Sequence, residues 1–119
     1  MSMLANVLVG LVALLHLYFL ALEMFLWDTP YGHKTFRLEP EFATKSKSLA
    51  ANQGLYNGFL AAGLIWGLLL GDAGRNVKIF FLACVVIAGI FGGLTVGRKI
   101  LLIQALPAAI ALVVLLFGR

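Results

Sequence analysis

The sequence predicts an all-α integral membrane protein, a four-helix bundle with up-down-up-down topology, and three observations lead there. The chain of 119 residues is 62% hydrophobic and only 12% charged, with a mean hydropathy of +1.02. A soluble domain of that size leaves too much of its area facing water to hide so much apolar surface, so lipid is the matching solvent. The apolar residues fall into four runs, about 4–27, 49–70, 77–96 and 100–117. Each is near the ~20 residues that cross ~30 Å of hydrocarbon at ~1.5 Å per helical residue. The connectors after the second and third runs are short, which makes neighbouring helices antiparallel. The runs must be helical, because each unpaired backbone group in lipid costs several kcal/mol. The length suits one transmembrane domain over residues 1–119 rather than two domains.

Span one runs from Leu4 to Trp27. It has no basic segment before it and no clean cleavage site after it, so it reads as a retained span and not as a signal peptide. The one long connector, about 28–48, begins with the turn signal Asp28-Thr29-Pro30-Tyr31-Gly32. Near its end Glu39 precedes Pro40, a favoured first helical residue, so span two is expected to start early as one long helix. Gly71 to Asn76 forms a turn, and Gly97-Arg98-Lys99 barely reverses the chain. In span four Pro107 predicts a kink that frees a backbone carbonyl.

Charge bias orients the bundle. The first and third connectors hold Lys34, Arg37, Lys45, Lys47, Arg98 and Lys99, whereas the opposite side holds Arg75, Lys78 and Arg119. The positive-inside rule then puts the long connector in the cytoplasm and both termini outside, with Trp27 and Trp66 at the two interfaces. The net charge of +4 is scattered over connectors without a basic stripe or interleaved aromatics, so no nucleic-acid partner is expected. The single cysteine, Cys84, excludes an internal disulfide and reads as a small apolar residue. Glycines recur at small-xxx-small spacing: Gly54 and Gly58; Gly63, Gly67 and Gly71; Gly89, Gly93 and Gly97. Such rows bring helices close together, either within one bundle or between protomers of a homo-oligomer.

The polar residues within the spans carry the functional signal. His16 and Glu23 stand seven positions apart, which returns them to one face of span one about 10 Å apart along the axis. An ionisable group at depth is costly and faces a partner. In span two Asn52, Gln53, Tyr56 and Asn57 occupy an arc of about 140°, with Gly54 and Gly58 on the other side. Antiparallel packing puts these residues level with Glu23, and Thr95 and Gln104 at the same end. All four spans are thus expected to line one polar pocket on the cytoplasmic side. The competing reading is a hydrogen-bond network that sets helix register, at only ~0.6–2 kcal/mol per bond. Metal binding is not expected: one histidine and one carboxylate in the spans are too few ligands, and His33 lies in the connector. No phosphate-cradling glycine loop or other cofactor motif is present.

His16 with Glu23-Met24-Phe25-Leu26-Trp27, the Thr-Pro-Tyr-Gly turn from Thr29, and Leu49-Ala-Ala-Asn-Gln-Gly-Leu-Tyr-Asn-Gly-Phe-Leu-Ala-Ala-Gly-Leu64 resemble a family of small bacterial membrane proteins. That family is domain of unknown function 1304. The likeness covers essentially the whole chain, and the span-two motif is its most specific part. It implies a four-span inner-membrane protein of this length and no particular activity.

Three functions fit these residues. The first is a membrane isomerase or epimerase in which Glu23 and His16 move a proton on a small hydrophobic substrate, while Asn52, Gln53, Tyr56, Asn57, Gln104 and Trp27 bind it. The second is a non-enzymatic binder or small transporter that holds a lipophilic molecule or a cation through Glu23 and the amides. The third is an accessory subunit whose polar face meets another membrane protein.

Overall fold

The computed structural model describes residues 2–118, which form helices and turns and no strand. Helix α1 covers Met3–Met24, α2 Pro30–Phe36, α3 Pro40–Leu69 and α4 Arg75–Thr95, and α5 covers Arg98–Phe117. Among the described residues three helical stretches are long and apolar enough to cross a membrane: Met3–Met24, Gly71–Thr95 and Arg98–Phe117. Helix α3 is the longest, at 30 residues, yet it is not among the three. Asn52, Gln53 and Asn57 interrupt its apolar half, and Lys45, Ser46, Lys47 and Ser48 precede them.

The chain forms two compact units, Met1–Leu14 with Leu60–Arg119, and Leu15–Phe59, so the division falls inside α1 and α3. In the first unit α4 runs antiparallel to both of its chain neighbours. Gly63 and Gly67 of α3 face Phe81 and Lys78, whereas Gly89, Gly92 and Gly93 of α4 face Ala105, Ile100 and Leu101. From Gly63 to Gly67, and from Gly89 to the Gly92 and Gly93 pair, the partner numbers fall as the glycine numbers rise, as opposed helices require. All four helices contribute small buried residues, among them Ala13, Ala61, Gly89 and Ala108, so the backbones approach and gain dispersion contacts. The core gathers Val9, Val12 and Ala13 of α1, Leu64 of α3, Leu82 and Val85 of α4, and Ala108, Ala111 and Leu115 of α5.

The kink expected at Pro107 takes a specific form one turn upstream. Leu101–Ala105 widens into a π-helical turn, in which the Leu106 N–H donates to the Leu101 carbonyl. Pro107 has no N–H to offer Ile103, so the α ladder is already interrupted there and the wider turn is accommodated.

In the second unit the end of α1 packs antiparallel on the start of α3. A side chain at Gly54 would stand 2.7 Å from Met24 Cγ and 3.0 Å from Glu23 Cβ, and one at Gly58 would stand 2.7 Å from Leu20 Cδ1. Gly54, Gly58, Gly63, Gly67, Gly89 and Gly93 are therefore occupied by contacts within the chain, whereas Gly71 and Gly97 meet open space. Helix α1 ends at Met24, before Trp27, and α3 begins at Pro40. The stretch from Asp28 to Gly32, expected as a plain turn, instead launches helix α2. Thr29 caps it: its Oγ1 accepts from the Gly32 N–H at 3.2 Å and donates to the Leu26 carbonyl at 2.6 Å. Pro30 follows at the first helical position, where its missing N–H costs nothing. Gly32 is required there, because a β-carbon would overlap the Leu26 and Trp27 carbonyl oxygens. Arg37, in the left-handed region at φ 54°, ends the helix.

Candidate functional site

The expected site residues separate into those the fold joins and those it turns elsewhere. Glu23, one residue from the end of α1, is half-buried. Asn57 of α3 is 6% exposed, and its Nδ2 donates to Glu23 Oε1 at 2.5 Å. Gly54 and Gly58 make the pair possible, since they let α3 lie directly against Leu20, Glu23 and Met24. His16, two turns earlier in α1, is wholly buried, and its ring meets Phe19 edge-on with centroids 5.2 Å apart.

Asn52, Gln53 and Tyr56 are exposed on α3 and do not share the surroundings of Asn57. Sequence reasoning placed all four in one polar face, and the structure divides that face. At about 100° per residue Asn57 lies some 60° from Gly54, whereas Asn52 and Tyr56 lie about 160° from it. Helix α1 therefore meets Asn57 and leaves the other three outside. Thr95 is exposed and returns its hydroxyl to the Phe91 carbonyl of its own helix at 2.7 Å. Gln104 is half-buried within the π-helical turn of the first unit, whereas Glu23 and Asn57 belong to the second.

Trp27 belongs to the structured connector. Its Nε1 donates to Ser46 Oγ at 3.0 Å, and its ring tilts against Phe36 at 4.8 Å. Nearby Asp28 accepts from His33 Nε2 at 2.9 Å and from Thr44 Oγ1 at 3.0 Å. This carboxyl is held below the usual carboxylate range, first by the hydrogen bond from His33 and next by that from Thr44. Asp28 thus ties α2 to the opening turns of α3. The Tyr18 and Tyr31 hydroxyls share a hydrogen bond of 2.5 Å, which joins α2 to α1 as well.

Sequence reasoning missed a second polar pair. Lys78, counted there among the charges of the outer side, is wholly buried, and its Nζ donates to Asn6 Oδ1 at 2.9 Å. Its stem runs past Gly67, where a β-carbon would stand 2.6 Å from Lys78 Cγ. The signal was the coincidence of Gly67 and Gly74 beside a lysine near a helix start, since small residues make room for a long side chain to lie between backbones. No group of three or more metal-binding side chains occurs among the described residues.

The comparisons with known proteins agree with one another. The family model "Protein of unknown function (DUF1304)" matches residues 10–116. Among curated relatives the chain is similar to Uncharacterized protein YpaA of Lactococcus lactis subsp. lactis (strain IL1403). The two are 31% identical over 115 residues, covering 95% of this chain and 97% of the relative. No solved structure matches the chain. The matched stretch holds every candidate residue from His16 to Gln104, and the chain belongs to the DUF1304 family.

Proposed function

We propose that this is a four-span helical protein of the bacterial inner membrane, with both termini outside, that binds a small hydrophobic molecule through Glu23. Three helices with the length and apolarity of spans support the membrane reading, as do the antiparallel contacts of α1 with α3 and of α4 with α3 and α5. The fourth span is the apolar half of α3, which carries Asn57, the partner of Glu23.

The Glu23–Asn57 hydrogen bond carries the functional reading. A carboxylate accepts at about four lone-pair positions, and the amide of Asn57 takes one. Half-burial leaves the carboxylate reachable. A carboxylate is a costly means of setting helix register, because interhelical hydrogen bonds in membranes are worth only ~0.6–2 kcal/mol. An apolar molecule with an amine, a hydroxyl or another donor at one end matches this environment. Native mass spectrometry of the gently extracted protein tests the proposal. Wild type should retain a discrete small molecule that Glu23→Gln and Asn57→Ala lose; retention by both variants would sink it.

The second reading is an isomerase, since Glu23 and His16 share one face of α1. The complete burial of the His16 ring favours binding over turnover, and turnover of a candidate substrate by the purified protein would reverse that order.

A further inference from the structure

We infer that α3 pairs with α3 of a second copy of this chain, through the side-chain amides of Asn52 and Gln53. The inference rests on the membrane reading above. Counted back from Leu69 at 1.5 Å per residue, ~30 Å of hydrocarbon reaches to about Leu49. Asn52 and Gln53 then lie about one turn inside it, and both are exposed. Lipid tails offer an amide nothing to bond with, so such groups turn to another helix. Helix α1 does not serve, because it already covers the Gly54 and Gly58 side of α3.

The chemistry of the face selects the partner. An amide carries both donors and an acceptor, so it complements its own copy. A twofold axis between two α3 helices would set Asn52 and Gln53 against the same residues of the other chain, with each amide both giving and receiving a proton. The exposed residues Leu49, Asn52, Tyr56 and Phe59 recur at spacings of three and four, the period of a left-handed helix seam. A polar residue within such a seam fixes register and orientation. On α3 itself Gly54, Gly58, Gly63 and Gly67 all face neighbours within the chain, which leaves this stripe of the helix to supply the interface.

The test uses full-length protein in liposomes, with Tyr56→Cys introduced into a Cys84→Ala background. Mild oxidation should give a disulfide-linked dimer, whereas a cysteine at Phe91, exposed on α4, should give none. Asn52→Leu with Gln53→Leu suits lipid better and keeps the helix, yet should weaken pairing about tenfold or more, as the loss of several interhelical amide bonds implies. Single-step photobleaching of labelled wild type, equal crosslinking at both cysteine positions, or an unchanged dimer in the double variant would overturn the inference. So would loss of a retained small molecule in the double variant without loss of dimer, which would assign the face to a ligand. Release of the chain from vesicles by alkaline wash would instead defeat the membrane reading beneath it.

Discussion

Asn57 of α3 and Glu23 of α1 stand 34 positions apart and are joined by a single hydrogen bond of 2.5 Å, on the side of α3 where two glycines admit α1. The proposed function gives this one carboxylate two roles, packing and recognition, and substitutions can separate them. Glu23→Gln keeps an oxygen that accepts from Asn57, so stability should change by no more than ~1 kcal/mol. Glu23→Leu leaves the nearly buried Asn57 amide without its acceptor and should cost ~1–3 kcal/mol. Unfolding in mixed micelles titrated with sodium dodecyl sulfate measures both, and equal losses would show that the charge itself holds the helices.

Lys78 should behave as a packed side chain as much as a charge. Lys78→Met roughly keeps the volume of the stem, and its cost should stay below ~1.5 kcal/mol. Lys78→Ala empties a fully buried site and should cost ~2–5 kcal/mol. The same titration would reveal the difference, and matched losses would argue that the ammonium group dominates.

The connector should loosen in acid. Because the Asp28 carboxyl is held below its ordinary value, its contribution is fully present above the unfolded-state pKa of about 3.9 and is lost as pH falls through the lower folded-state value. In a Trp66→Phe background, Trp27 fluorescence should therefore hold steady through neutral pH and change only below about pH 4. Asp28→Asn should flatten that acid transition, and an unchanged transition in the variant would place its origin elsewhere.

Two glycines of similar sequence setting should respond differently to alanine. A β-carbon at Gly89 would stand 2.5 Å from the Ala105 backbone nitrogen, an atom that cannot move aside. Gly89→Ala should cost ~1–3 kcal/mol. Gly97 has extended backbone at φ 177° and open space around it, so Gly97→Ala should lie within about 0.5 kcal/mol of wild type. A thermal aggregation series on the two variants separates these outcomes directly.

The long helices were legible because apolar runs bounded by Gly and charged residues dictate helix in any low-dielectric setting, and Pro40 marked the start of α3. Helix α2 was hidden by its own cap: Thr-Pro-Tyr-Gly reads locally as a turn, and only the Thr29 side chain on Gly32 and the close approach of Gly32 to Leu26 extend it. The Glu23–Asn57 pair was half-legible. Depth matched Glu23 with four polar residues, but the choice among them depends on which side of α3 the glycines open. The burial of Lys78 was the least legible feature, since a basic residue near a span end follows the same pattern whether it meets headgroups or lies between helices, and only the small residues Gly67 and Gly74 hint at the difference.

The π-helical turn in α5 leaves the chain one residue longer than an unbroken α-helix would be over the same rise. That surplus acts as a phase correction. Just before it and at its start, Ile100 and Leu101 point at Gly92 and Gly93; at its end and after it, Ala105, Ala108 and Ala111 turn to the core. Deleting one residue from the turn would regularise the helix and rotate one set by about 100° relative to the other. The irregular helix is thus the one that keeps both halves of α5 facing the same neighbour.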